Sequence, residues 1–281
     1  TDVRGWIVNE TREAIVDFLH KNREAATNLE ARIVHNEKLR KELNAVKKEA
    51  KEAARRIEIK IPQLKDCKFH KSDAKRGEET TIFLAEGLSA AGSIVSSRNP
   101  ETQAIYTLKG KPQNLFGKTR ASIYKNEELY NMMMALGIEE DLVNLRYEKV
   151  VIATDADVDG FHIRNLLMTF FLTYFEELVT SGHVYILETP LFRVRNKQET
   201  HYCYDELERK RAEKKLKGTA EITRFKGLGE ISPKEFGQFI KGDMRLVKVD
   251  VRSLATVPET MGFYMGKNTP ERRGYIMENL V

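Results

Sequence analysis

The residues of this chain best suited to chemistry are three aspartates at alternate positions, Asp155, Asp157 and Asp159, in the stretch KVVIATDADVDG at residues 149–160. Carboxylates crowded on so short a segment repel one another unless a cation joins them. An all-oxygen donor set suits a hard divalent ion, magnesium or manganese. The apolar residues 150–154 predict a buried strand that runs straight into the acids, and Gly160 lets the chain turn. Phe161, Ile163, Leu166, Leu167, Phe170, Phe171, Tyr174, Phe175 and Leu178 then recur at helical spacing. The acids therefore sit on a strand-to-helix turn, and in an open α/β sheet ligands bind in the crevice beyond the carboxyl ends of the strands.

Three other readings compete with a magnesium site. A calcium EF-hand loop opens with the same D-x-D-x-D-G pattern but needs a bidentate Glu at its twelfth position, where this chain has Leu166. Carboxylates near a helix N-terminus are stabilising, which accounts for one aspartate but hardly for three. An aspartyl-phosphate phosphatase also places D-x-D after an apolar strand, and the upstream chain has to decide that case.

Upstream, residues 80–85 predict a second apolar strand, with Glu86 at its carboxyl end, Gly87 at a turn, and a small-residue helix over 89–97 capped near Ser89. This repeats the strand, acid, glycine, helix order found at Asp155, so two strand ends could each bring a carboxylate to one metal ion. A single Glu in that position is otherwise a helix-terminus charge. A third strand is expected over 103–108.

The elements around these segments follow from pattern and composition. Residues 11–57 are helical in character, with many Glu and Lys or Arg pairs at helical spacing, and Pro62 breaks the pattern. A polar linker follows at 68–79. The motif LFRVRNKQETHYCYDELERKRAEKKL predicts a hairpin and then a charged helix. Ser232-Pro233-Lys234-Glu235 reads as a capping box, and Thr269-Pro270 opens another helix, with Arg272 and Arg273 in a first turn where cations are not favoured without an anionic partner. The net charge of +5 leaves room for a polyanionic partner. Cys67 and Cys203 have neither redox nor metal spacing, which fits a reducing compartment. The longest apolar run is interrupted by charged residues, so the expectation is a soluble intracellular protein without a membrane partner. The opening TDVRGWIVNE lacks an initiator Met and suggests a piece of a longer protein.

E-G-x-S-A at 86–90 together with D-A-D-V-D-G at 155–160 resembles the Toprim domain of type IIA DNA topoisomerases. Further motifs of that family follow in order: TLKGKPQN at 107–114, TPLFRV at 189–194 and RFKGLGE at 224–230. IPQLKDC at 61–67 is similar to the end of the transducer segment of the bacterial B subunits. TLKGKPQNLFG is closer to the topoisomerase IV form of the family than to the gyrase form.

The resemblance implies an α/β fold: a Rossmann-like Toprim domain with a parallel sheet at 77–193, a helical transducer end at 1–76, and a mixed α+β tail at 194–281. It implies that Glu86 and Asp155 share one magnesium ion and Asp155 and Asp157 a second, with Asp159 acting through a second layer of contact. Glu86 would also serve as general acid and base. Lys109, Lys111, Asn114, His162, Lys226 and Arg272 would contact double-stranded DNA. The attacking tyrosine would come from a partner A subunit in a heterotetramer of two A and two B subunits, and ATP would bind an N-terminal domain outside this segment. The setting would be cytoplasmic and chromosome-associated. Two alternatives stand beside this: a Toprim nuclease or primase working alone, and a DNA-binding assembly module without covalent chemistry.

Overall fold

A strand covered on both faces must be apolar along its whole length rather than at alternate positions. Residues 82–85 and 150–153 meet that requirement, each being 0% exposed. The computed structural model describes residues 3–56, 61–216, 220–242, 244–251 and 253–280, in two compact units, Thr1–Glu58 and Ile59–Val281.

The first unit is helical, with α1 (Val3–Lys21) and α2 (Arg23–Arg56). The single helix expected over 11–57 is thus two. They part at Asn22, whose side-chain amide donates to the Phe18 carbonyl. Residues 57–60, on the approach to Pro62, lie outside the described residues.

The second unit begins with β1 (Leu64–Lys65), β2 (Thr81–Glu86), α3 (Gly87–Ser97), β3 (Gln103–Leu108), α4 (Ala121–Lys125), α5 (Glu127–Leu136) and β4 (Lys149–Ala153). It continues with α6 (Val158–Tyr174), α7 (Glu176–Thr180), β5 (Val184–Leu187), β6 (Phe192–Arg195), β7 (Thr200–Cys203), α8 (Glu206–Lys215) and β8 (Glu221–Arg224). It closes with α9 (Pro233–Ile240), β9 (Leu246–Lys248), α10 (Val257–Met265) and α11 (Thr269–Asn279).

Six strands make one sheet in the order β1-β3-β2-β4-β5-β9. The four inner strands are parallel and the two edge strands antiparallel. This is the α/β class that the alternation of strands and helices predicts. Phe83 pairs with Val151 and Ala85 with Ala153, and these four form one core with Ile94 of α3 and with Phe236 and Ile240 of α9. By alternation, Ile82, Leu84, Val150 and Ile152 face the other side of the sheet. The apolar run expected as one helix breaks at Phe175, between α6 and α7. A smaller sheet, β7-β6-β8, carries the expected hairpin and packs its own core of Phe192, Val194 and Cys203 against Ala212 of α8.

Two stretches expected to lie apart from the Toprim segment belong to its unit. β1 adds to the sheet edge with Leu64 opposite Tyr106, Asp66 accepts from the Tyr147 hydroxyl at 2.6 Å, and Asp66 also pairs with Arg146. These contacts fasten the stretch just before the segment read as a polar linker, and within that segment Lys71 N–H donates to the Arg146 carbonyl at 2.8 Å. In the tail, β9 forms the other sheet edge, and α9 enters the core beside α3.

Ser232 caps α9 and Pro233 opens it, as the sequence predicts. Glu235, expected to complete a capping box, accepts instead from the Ser232 hydroxyl at 2.6 Å, Arg193 at 2.7 Å and Tyr202 at 2.9 Å. Burial pushes its carboxyl up, but the three donors outweigh burial and hold it at about 2. A depressed carboxylate stabilises the fold fully above its ordinary range, and this contribution is lost as pH falls from 4.5 toward about 2. Glu235→Gln should cost about 2 kcal/mol at neutral pH in urea unfolding, the scale of a hydrogen-bonded charge. The deficit should shrink by about pH 3; a deficit that does not change with pH would mean that charge is not its cause.

Candidate functional site

Because β2 and β4 run parallel with Ala85 opposite Ala153, the residues that follow them leave the sheet side by side. Glu86 ends β2 and stands at the N-cap of α3, with no capping hydrogen bond from its side chain. Asp157 caps α6, its Oδ1 accepting from Gly160 N–H at 2.8 Å. The helix expected to start near Ser89 starts at Gly87, directly after the acid, and the Ser89 side chain lies outside the described residues. Gly160 is not a turn residue but part of the first turn of α6. A Cβ there would come within 2.1 Å of the Asp155 carbonyl oxygen, so α6 closes over the acid loop only with glycine at this point.

Charge couples the acids. Burial first, then Asp155, Asp157 and Asp159, push the Glu86 carboxyl above its ordinary range, with Lys111 acting against them. Asp155 is raised as well, chiefly by burial; a hydrogen bond from Leu228 N–H opposes this, and Asp157 and Glu230 add to it. Glu86 Oε2 is buried and has no hydrogen-bond partner among the described residues. A buried carboxylate oxygen without a donor, facing further carboxylates, is costly unless a positive charge joins it. This donor set fits a hard divalent cation.

The RFKGLGE segment closes over Asp155. Leu228 N–H donates to Asp155 Oδ1 at 2.7 Å, and a Cβ on Gly227 would stand 2.7 Å from Asp155 Oδ2. Glu230 Oε2 accepts from Lys226 N–H at 2.8 Å, which tightens the loop. Lys226 is the expected site residue of this segment; Gly227, Leu228 and Glu230, which contact Asp155 or tighten the loop, are not among those expected. The glycine before Leu228 was the available signal, since a residue without a side chain permits close backbone approach.

The expected DNA contacts divide. Lys111 pairs with Asp159 at 2.6 Å, and that bond holds the Asp159 carboxyl below its ordinary range, with His162 contributing in the same direction. Lys111 and His162 therefore stand with the acids, and Lys226 is exposed on the closing loop. Lys109 pairs with Glu127 at 3.6 Å. Asn114 donates to the Met265 carbonyl at 2.8 Å and accepts from Phe116 N–H at 3.0 Å, tying its loop to α10. Arg272 donates to the carbonyls of Phe263, Tyr264 and Gly266 at 3.2, 2.7 and 2.9 Å. The anionic partner expected for this first-turn arginine is thus the negative pole at the C-terminus of α10. Asn268, not Thr269, is the N-cap of α11.

A different cluster, Asp66, Cys67 and His70, is the group of His, Cys and acidic residues whose ligand atoms lie within 4.8 Å of one another among the described residues. Its atoms are already engaged. Asp66 Oδ1 accepts from Tyr147 and from Cys67 N–H, and Arg146 meets both Asp66 and His70 Nε2. Burial pushes the Cys67 thiol up to about 11, and the adjacent guanidinium would repel a cation. These residues form a hydrogen-bonded brace. Among the described residues, no helix is long and apolar enough to cross a membrane.

Residues 81–189 match the family model of the Toprim domain. The chain is 60% identical along its full length to the B subunit of DNA topoisomerase 4 from Borreliella burgdorferi, covering 47% of that protein. It is 31% identical over 99% of its length to the B subunit of DNA gyrase from Archaeoglobus fulgidus, covering 44% of it. It thus spans about half the length of the curated relatives it matches. The DNA-binding, cleavage and re-ligation domain of Plasmodium falciparum topoisomerase II shares the fold, with a TM-score of 0.64 at 24% identity over 79% of this chain and 32% of that one.

The raised carboxyls of Glu86 and Asp155 favour the fold when protonated, and that contribution is lost as pH rises through their folded values. Bound magnesium would offset the loss. At ten times its Kd, magnesium should stabilise the chain by roughly 1.4 kcal/mol at neutral pH and much less near about pH 4, as read from thermal unfolding. Glu86→Gln and Asp155→Asn should each remove most of this gain. Equal gains in wild type and both variants would place the ion elsewhere.

Proposed function

Because the chain belongs with the B subunits of type IIA DNA topoisomerases and carries their Toprim domain, we propose that it forms the magnesium-binding half of a DNA-cleavage site. A Toprim domain is a metal-binding fold. The observation that carries the proposal is the buried, unpartnered Glu86 Oε2 beside the aspartate loop. The 60% identity to a B subunit of topoisomerase IV favours that enzyme over gyrase.

Glu86 and Asp155 would hold one magnesium ion, Asp155 and Asp157 a second, with Asp159 supporting from the rim. When bound, magnesium supplies Lewis-acid polarisation of a phosphoryl oxygen and a template for in-line attack. The chain's own residues set the stage for that chemistry. Leu228 N–H fixes the Asp155 carboxylate, and Gly227 lets the loop close on it. The burial and the neighbouring aspartates that raise Glu86 suit it to hold a proton at the 3′ oxygen of the cut strand and to take it back on religation. Lys109, Lys111, His162 and Lys226 would donate to backbone phosphates, contacts that position DNA without reading its sequence. Asn114 would act one step behind, bracing the Lys111 loop against α10, and Arg272 would do so by holding the C-terminus of α10.

The attacking tyrosine would come from a partner A subunit, and ATP-driven strand passage would belong to the assembled heterotetramer of which this segment is one part. The protein would work on chromosomal DNA in the cytoplasm. In the full-length B subunit assembled with its A subunit, Glu86→Gln should lower magnesium-dependent plasmid cleavage by roughly 100-fold or more, the scale of losing one charge-stabilising group. DNA affinity measured without metal should stay within about twofold, because the substitution leaves in place the lysines and the histidine proposed to hold the backbone phosphates. Unimpaired cleavage would remove Glu86 from this role, and nuclease activity by the chain alone would favour a self-sufficient Toprim enzyme.

A further inference from the structure

Beside the acid loop, at the carboxyl ends of β4 and β5, lies a pocket of about 240 Å³ whose walls include Thr154, Ala156, Arg164, Glu188, Leu191 and Tyr204. Among the described residues, two of its polar atoms are buried without a hydrogen-bond partner, Thr154 Oγ1 and Arg164 Nε. The Arg164 guanidinium has the Phe161 ring at 4.9 Å but no hydrogen-bond acceptor or ion-pair partner among the described residues. That is unusual for an arginine, whose planar fork of five donors matches carboxylate and phosphate oxygens and is costly to bury unpaired. Burial pulls Arg164 below its usual range, and the long-range attraction of Glu188 only partly opposes this.

We propose that Arg164 and Thr154 form an oxyanion site for a phosphate group, distinct from the acid cluster and joined to it through Ala156. The two unpartnered donors are complementary to phosphate oxygen: a guanidinium for a charge-assisted pair of hydrogen bonds and a hydroxyl for a third. At about 30 Å³ per water-sized group, the pocket has room for the five heavy atoms of a phosphate. Leu191 and the other apolar walls strengthen the pairing by keeping the local dielectric low. Glu188 faces the same space and sets the charge preference. With one cation and one carboxylate, the pocket favours the single charge of a phosphodiester over a multiply charged free phosphate. The phosphate could come from a DNA backbone or from solution, and both bring the same oxygens.

The test is made in EDTA, so that it reads this site and not the metal-dependent one proposed for Glu86 and Asp155. Wild-type chain is compared in sodium phosphate and in sodium chloride at equal ionic strength by thermal unfolding, and its affinity for a short DNA duplex is measured in parallel. Arg164→Gln should lower the affinity for one or both ligands by about tenfold or more, the scale of a charged hydrogen bond. Thr154→Val should weaken binding less, and Glu188→Gln should strengthen it; these two variants carry the test should Arg164→Gln fold poorly. Loss confined to DNA assigns the site to the backbone phosphodiester, and loss confined to inorganic phosphate assigns it to the free ion. Unchanged affinity for both ligands in all three variants, or no binding of either ligand by the wild type, would overturn the proposal.

Discussion

The second unit is arranged around one electrostatic problem: several carboxylates gathered, partly buried, at the ends of two adjacent parallel strands. The pairing of Ala85 with Ala153 sends Glu86 and the Asp155 loop out of the sheet together. Burial and mutual repulsion raise Glu86 and Asp155. No hydrophobic gain favours such a cluster, so the surrounding structure has to impose it. The apolar core of β2, β4, α3 and α9 does so by fixing the strand register, and Gly160 and Gly227 let backbone come close enough to confine Asp155 from two sides.

This arrangement explains why the chain after the hairpin belongs with the sheet rather than apart from it. β9 closes one sheet edge, α9 shares the core with α3, and Glu235 ties the start of α9 to Arg193 and Tyr202 of the smaller sheet. The loop that delivers Leu228 N–H to Asp155 is thus held at both ends. On the opposite edge, the Asp66, Arg146 and Tyr147 contacts fasten β1. The unpaired guanidinium of Arg164 lies beside the carboxylate loop, so this end of the sheet offers both signs of charge. A phosphodiester near a metal site needs both: carboxylates to hold the cation, and donors to receive the remaining phosphate oxygens.

Local pattern fixed the parts of the fold that local physics decides. The strand over 103–108 is read to the residue, and β2 and β4 within one, the latter two because continuous apolar runs ending in acid and glycine leave few alternatives. The hairpin, the charged helix and the Ser232 cap follow for similar reasons. Contacts between distant residues were not readable. Nothing near Arg272 announces that it closes the C-terminus of α10, nothing near Glu235 announces Arg193, and the polarity of residues 68–79 suggests a linker although Arg146 meets His70 and accepts from Lys71 N–H. At the site, the acids were visible as residue types in a spacing. The role of Gly227 depends on Asp155 arriving from far upstream in the chain.

The central claim is that Glu86 and the Asp155 loop jointly hold a divalent ion. Anomalous diffraction from crystals of the chain grown with manganese tests it most directly. The account predicts a peak bound by the carboxylates of Glu86 and Asp155. A peak at Asp66, Cys67 and His70 instead, or a manganese-saturated crystal with no peak at Glu86, would contradict it.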